Sequence, residues 1–167
     1  MKKNSTLYLT RGALIAALYV ALTYLATLFG LSSGVIQFRF SEALCVLPIF
    51  MPEAIVGLTV GCLVSNILAG CVVWDVIFGT LATLIGAIGA RLLRRLPSRF
   101  IWLSTLPTIL ANSVIVPFVL LYAYGAPGGY FYFMLTVFIG EAVCAGVLGS
   151  ILYYTLIKTK ASFFGAK

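Results

Sequence analysis

The chain carries four carboxylates in 167 residues, Glu42, Glu53, Asp75 and Glu141, and no histidine. Three of them, Glu42, Asp75 and Glu141, fall in the outer half of a string of apolar runs. Glu141 stands deepest, about 11 residues into its run, and Asn66 and Asn112 each stand about 12 residues into theirs. At ~1.5 Å per residue these three lie roughly 16–18 Å from the entry surface of a helix, near the midplane of a ~30 Å hydrocarbon layer. A carboxylate there is costly unless it faces a cavity or a partner. Asparagines at that depth either tie helices together by hydrogen bonds or read a ligand. Glu141 has no intramembrane Lys or Arg to pair with, and Arg39 reaches it only if the loop carrying Arg39 folds inward.

The missing groups narrow the chemistry. There is no G-x-x-x-x-G-K-[ST] phosphate loop, so ATP hydrolysis by that device is excluded. With no histidine there is no Ser/His pair, and no metal-ligand cluster offers an alternative. Cys45, Cys62, Cys71 and Cys144 form no C-x-x-C pair and read as small packing residues. The expectation is a binding protein for a small molecule, not an enzyme, with no cofactor of its own.

The elements that must position these groups follow from composition. The chain is 62% apolar and 9% charged, with a mean hydropathy of +1.14; soluble domains are about half apolar and about a quarter charged. A soluble enzyme is excluded, and the expected fold is an all-α integral membrane protein forming one transmembrane domain. The apolar stretches run over about 7–31, 42–51, 54–73, 75–93, 100–124 and 130–157. Residues 43–74 divide into two helices because Pro48, Pro52 and Glu53 interrupt them. The first run is too long for a signal-peptide core and reads as a retained span.

Six spans put both termini on one side, together with the loop holding Arg91, Arg94, Arg95 and Arg99. Lys2, Lys3 and Arg11 at one end and Lys158, Lys160 and Lys167 at the other then share that side, so ten of the eleven basic residues face the cytoplasm. Only Arg39 lies elsewhere. No basic soluble face is available for nucleic acid. The outer loops hold Gln37, Arg39, Trp74, Asp75, Tyr122, Tyr124 and Tyr130, with Glu42 just inside the second helix. These aromatics fit either an interfacial belt or the mouth of a site. Small residues recur every four positions as Ala13, Ala17 and Ala21 on the first helix, as Gly57, Gly61, Ser65 and Ala69 on the third, and as Ala82, Gly86 and Ala90 on the fourth. Such stripes let helices approach closely; the inner two suit packing within the bundle, and the first suits either packing or an external partner.

The segment Arg39-Phe40-Ser41-Glu42-Ala43, the run Ser65-Asn66-Ile67-Leu68-Ala69-Gly70, the run Trp74-Asp75-Val76-Ile77-Phe78-Gly79-Thr80 and Gly140-Glu141-Ala142-Val143 together resemble the QueT family. These are substrate-binding components of energy-coupling factor transporters, assigned to queuosine precursors, and the likeness covers nearly the whole chain. The resemblance implies a six-helix protein in a bacterial-type cell membrane, multi-pass, with cytoplasmic termini and a site opening outward. It implies a transmembrane coupling protein and two ATPase subunits as partners, ATP being used by those partners. Docking would use the Ala13, Ala17 and Ala21 stripe.

A deazaguanine fits the inventory. Its pyrimidine edge offers two N–H donors to a carboxylate, its carbonyl accepts from an amide or Arg, and its bicycle stacks on an aromatic ring. The candidate ligand-binding residues are Glu141, Asn112, Asn66, Trp74, Asp75, Arg39, Glu42, Tyr122 and Tyr130. Two other readings stay open: a binding component for another vitamin of riboflavin or thiamine type, and a small proton-coupled carrier using Glu141.

Overall fold

A computed structural model describes residues 5–31 and 37–159. Lys2, Lys3, Lys160, Lys167 and residues 32–36 of the first loop lie outside the described residues. Among the described residues all regular secondary structure is helical, without strands. Four helices are long and apolar enough to cross a membrane: α1 (Ser5–Leu28), α4 (Val73–Arg95), α5 (Arg99–Tyr122) and α6 (Tyr130–Lys158). Two are shorter, α2 (Phe40–Phe50) and α3 (Glu53–Leu68).

The two short helices come from the proline-interrupted stretch. α2 is a tight 3₁₀ coil over Phe40–Val46 that relaxes into a single α-turn at Leu47–Phe50. Met51 is extended, Pro52 precedes α3, and Glu53 opens it. Helix α3 has 16 residues, about 24 Å at 1.5 Å each, short of the ~20 residues a perpendicular crossing takes. Two long helices change pitch along their length. α5 begins as 3₁₀ through Thr105, with Pro107 in the first α-turn and Pro117 inside it. α6 widens into a π-turn over Ala142–Leu148, directly after Glu141.

The helices close into a ring. α1 packs on α3, α3 on α4, α4 on α5 and α5 on α6, while α2 fills the gap between the π-turn of α6 and α1. Small residues set the spacing. A Cβ on Gly57 would stand 2.7 Å from the Gly12 carbonyl oxygen, and one on Gly61 2.7 Å from Tyr19 Cβ. Gly86 and Gly89 of α4 likewise lie against Thr108 and Pro107 of α5. α1 therefore meets α3 through Gly12, Ile15, Ala16 and Tyr19. Ala13, Ala17 and Ala21 are on its other face, exposed.

At the end of the bundle carrying the Arg-rich loop, charges pin elements to one another. Arg11 Nη1 donates to Glu53 Oε1 at 3.2 Å, tying α1 to the start of α3. Arg91 Nη1 donates to the carbonyls of Pro48 and Ile49, at 3.0 and 3.1 Å. Those carbonyls belong to the last turn of α2, where helix ends leave acceptors unsatisfied.

The α1–α3 contact gives a stability test. Gly61→Ala gains about 1 kcal/mol of helix propensity, but its methyl meets a Cβ and the Ala16 backbone, neither of which can swing away, and overpacking costs roughly 1–3 kcal/mol. Gly61→Ala is expected to lower the thermal melting temperature in detergent, and an unchanged or higher midpoint would show that α1 and α3 are not in this contact.

Candidate functional site

The ring encloses a polar cavity of about 460 Å³ at the end of the bundle opposite the Arg-rich loop. Each wall takes its polar groups from a different helix. Thr23 and Thr27 come from α1, Asn66 from α3, Asp75 from α4 and Thr136 from α6, while Gln37 and Arg39 come from the strand-like approach to α2. Val116, Leu120, Phe133 and Val137 supply the apolar part of the lining. A second recess of about 20 Å³, sharing Gln37, Arg39, Val116 and Val137 with the cavity, lies between Arg39, Gln37, Asn112 and Glu141, room for about one water-sized group.

The recess ends on groups left open. Asn112 and Glu141 are buried and close enough to interact. Even so, Asn112 Nδ2 and Glu141 Oε2 have no hydrogen-bond partner among the described residues. A buried donor and acceptor left unmade cost about 1–3 kcal/mol each, so Asn112 and Glu141, both in the recess lining, form an unsatisfied pair. Glu141 is the last residue before the π-turn of α6, and such widened turns occur often at functional sites.

The side walls are better satisfied. Glu42, almost fully buried, accepts a short hydrogen bond from the Tyr19 hydroxyl. Thr23 Oγ1 lies 2.9 Å from the Tyr19 carbonyl, to which it donates, and 2.8 Å from the Ser41 hydroxyl. These bonds fasten the first turn of α2 to α1, and with it Arg39, which immediately precedes that turn. Arg39 lies within Coulombic reach of Glu42, Asp75 and Glu141. Arg39 thus meets the condition under which it could reach Glu141.

At the mouth, Tyr124 from the α5–α6 loop reaches across to α4 and donates to Asp75 Oδ2 at 2.9 Å. Its hydroxyl oxygen is also 3.4 Å from the Val72 amide. Burial first, then the neighbouring Asp75 carboxylate, raises the Tyr124 phenol above the usual tyrosine range, so it stays a donor at neutral pH. Beneath Asp75, Gly79 leaves space: a Cβ there would stand 3.1 Å from Asn66 Nδ2 and 3.4 Å from Asp75 Oδ1. A bare Gly79 thus lets the Asn66 amide and the Asp75 carboxylate lie side by side.

Of the residues singled out in the sequence, Arg39, Asn66, Asp75, Asn112 and Glu141 are brought together on the cavity wall or floor. Glu42 stands just behind that wall. Trp74, Tyr122 and Tyr130 are not brought there. Trp74 is 58% and Tyr122 83% exposed, and both border an apolar groove on the outside of α4 and α5 with Phe78, Val114 and Phe118. Tyr130 packs on Phe118 with ring centres 4.6 Å apart and donates to the Val114 carbonyl. The aromatic rings lining the cavity are Phe133 and Tyr124 instead. Thr23, Thr27, Thr136 and Phe133 carried no expectation, and Gln37 and Tyr124, noted in the outer loops, were not among the candidate ligand-binding residues. Thr23 and Thr27 had one visible signal, being hydroxyls four apart on an apolar helix.

The fold is a helical bundle, four of whose helices are long and apolar enough to cross a membrane, around a cavity whose charged groups come from α4 and the approach to α2. A family model described as QueT transporter matches residues 9–158, and the chain belongs to that family, one of transporters rather than enzymes. It is 41% identical over 103 residues to the Queuosine precursor transporter QueT of Lactococcus lactis subsp. cremoris (strain MG1363), a match covering 61% of this chain and 60% of that protein. No solved structure matches it.

The thiols offer a direct probe of the cavity. Cys71 lines it and is partly exposed, while Cys45, Cys62 and Cys144 are buried. Burial, then the Asp75 charge, raises the Cys71 thiol above its usual range, and the thiolate is the reactive form. N-ethylmaleimide is expected to modify Cys71 alone in the folded protein. The rate should be slow at pH 7 and rise about tenfold per pH unit up to and beyond pH 9. Modification of the other three at a comparable rate, read by mass spectrometry, would contradict this packing.

Proposed function

We propose that this chain is the substrate-capturing component of an energy-coupling factor importer for a queuosine precursor, a deazaguanine base or queuine. In this reading it resides in the bacterial cell membrane with all six helices inserted. Arg94 and both termini face the cytoplasm, which gathers ten of the eleven basic residues there. Arg39, Tyr124 and the cavity mouth face outward.

The observation that carries the reading is the floor of the cavity, where a carboxylate oxygen and an amide N–H stand buried and unpartnered. A deazaguanine edge is complementary to both. Its two N–H groups donate to Glu141, its carbonyl accepts from Asn112 or Arg39, and Phe133 offers a ring face. The relative from Lactococcus lactis is named for the same class of substrate. Binding at such a floor satisfies groups that otherwise remain open, which is where a site gains its discrimination.

Glu141→Gln keeps the shape but replaces an acceptor oxygen with a donor facing a donor. Charge-assisted hydrogen bonds contribute about 1.5–3 kcal/mol, so calorimetry with 7-deazaguanine and queuine should read an affinity loss of about 10- to 100-fold. Equal affinities for wild type and Glu141→Gln would remove the acid from the site and favour the proton-coupled carrier. Tight binding of riboflavin or thiamine in place of every deazaguanine would move the chain to another vitamin.

Delivery requires partners, namely a transmembrane coupling protein and two ATPases that use the ATP. The exposed Ala13, Ala17 and Ala21 face of α1 suits docking, because α1 meets α3 through its opposite side and small residues admit a close helix. Ala17→Leu is expected to abolish uptake in cells while ligand affinity and melting temperature stay near wild type. Unimpaired uptake by Ala17→Leu would exclude this face from docking.

A further inference from the structure

We propose that the chain holds one anionic phospholipid of the cytoplasmic leaflet in an apolar cleft between α1 and α6, with the lipid phosphate on Arg11. This uses the membrane orientation given above but not the substrate, since no residue of the cleft lines the polar cavity. The cleft, of about 190 Å³, lies toward the Arg-rich end of the bundle, where α2 separates α1 from α6. Each of the three elements gives it an apolar face. On α1, Leu14, Ile15 and Leu18 follow Arg11 by three, four and seven residues, a spacing that puts all four on one side of the helix. Leu44 and Leu47 of α2, with Met51 just after it, form the floor, and Leu152 and Leu156, one turn apart on α6, form the far wall. The floor is closed, because Ile15, Leu44, Leu47 and Met51 belong to one buried cluster. The rim is open, with Leu14 60% and Leu18 45% exposed.

Shape and charge together select the occupant. Every lining residue but Arg11 is apolar, and Arg11 is the lining residue of α1 nearest the basic end. Leu18 stands about 10 Å further along α1, so an acyl chain laid in the cleft keeps its headgroup at the guanidinium. A partner helix about 10 Å across takes roughly 400 Å³ per turn and does not enter. The Arg11 side chain is 23% exposed and that of Glu53 7%, so the cation reaches the bundle surface while its counter-ion stays inside. Arg11 Nη1 donates to Glu53 at 3.2 Å, which fixes the orientation of the group. Five N–H donors exceed what one carboxylate oxygen accepts, and the guanidinium fork matches a phosphate. Lys158, exposed two residues past Leu156, adds a second cation beside the far wall. Of the four carboxylates only Glu53 stands at this end. Cations just inside a membrane attract anionic headgroups, and here they flank a slot for the chain.

The test titrates the purified, delipidated full chain in detergent with dioleoyl-phosphatidylglycerol or dioleoyl-phosphatidylcholine and counts retained lipids by native mass spectrometry. Wild type is expected to retain one phosphatidylglycerol, about fivefold or more in preference to phosphatidylcholine. Inorganic phosphate, which brings the charge without the chains, should not displace it. Arg11→Gln should lose most of the preference. Glu53→Gln breaks the same ion pair but keeps the guanidinium, and should retain the preference. Leu14→Trp crowds the rim without touching a charge, and should weaken both lipids alike. Equal retention of the two lipids by wild type overturns the proposal, as does a graded series of bound phosphatidylglycerols with no single strong one. Displacement by inorganic phosphate reduces the site to an anion site and overturns the lipid. Equal losses in Arg11→Gln and Glu53→Gln assign the effect to the ion pair and overturn the headgroup contact. A dimer that forms as the lipid leaves, seen in the same spectra, gives the cleft to a second copy instead. If Arg11→Gln does not fold, the wild-type comparison and Leu14→Trp decide.

Discussion

A carboxylate cannot face hydrocarbon without a counter-charge or water, and the arrangement of this protein depends on that constraint. Glu42, Asp75 and Glu141 stand on three different helices, separated by long apolar runs. They can be sheltered together only if the helices close around them. The ring α1–α3–α4–α5–α6–α2 does this, and nearly every unusual local feature serves the closure. Gly57 and Gly61 draw α3 against α1, and Gly86 and Gly89 draw α4 against α5. These contacts lie at the seams, leaving the inner faces free to carry polar groups.

The short second helix is the element that makes the enclosure charged as well as polar. A full-length span following Leu31 would carry the loop away from the bundle axis. A compact 3₁₀ coil at Phe40–Val46 instead seats Arg39 at its start, inside the ring, and Tyr19 and Thr23 lock that coil to α1 through Glu42 and Ser41. Its far end, a single α-turn with few internal hydrogen bonds, borrows Arg91 from α4 to satisfy its last carbonyls. Arg91 thus adds a structural contact to its share in the basic cluster.

Depth along a helix is legible in a sequence; direction around it is not. Counting residues into each apolar run singled out Asn66, Asn112 and Glu141; Asn66 lines the cavity, and Asn112 and Glu141 line the recess. The aromatics were harder because they were chosen by level alone. Trp74 and Asp75 are neighbours, and adjacent residues on an α-helix point about 100° apart. Once Asp75 turns into the cavity, Trp74 is carried to the outside, where it stacks on Phe78 one turn on, with ring centres 5.9 Å apart. Tyr122 ends α5 on its outer face, while Tyr124, two residues later and past the helix end, is free to cross the mouth. Pairing across loops has no period, so Tyr124 left no pattern to read. The same holds for the pitch changes: a π-turn after Glu141 has no compositional mark in the run Ala142–Leu148.

The two ends of the chamber are built on opposite physical terms, and that contrast bears on how a transporter must work. The floor is fixed and unsatisfied. Glu141 and Asn112 sit on α6 and α5 within the bundle, their open atoms offering free energy only to a group that reaches them. The mouth is satisfied and lightly built. Tyr124 belongs to a loop with glycines at positive φ on Gly125 and Gly128, and it is held to Asp75 and the Val72 amide by hydrogen bonds near the surface. Opening that contact costs about the 0.5–1.5 kcal/mol of a hydrogen bond exchanged with water, more where the carboxylate charge assists it, and far less than opening a helix seam. Parting Tyr124 from Asp75 is therefore cheap beside parting two helices. The lightly held contact thus lies on a loop and the buried open groups on α5 and α6, two different parts of the fold.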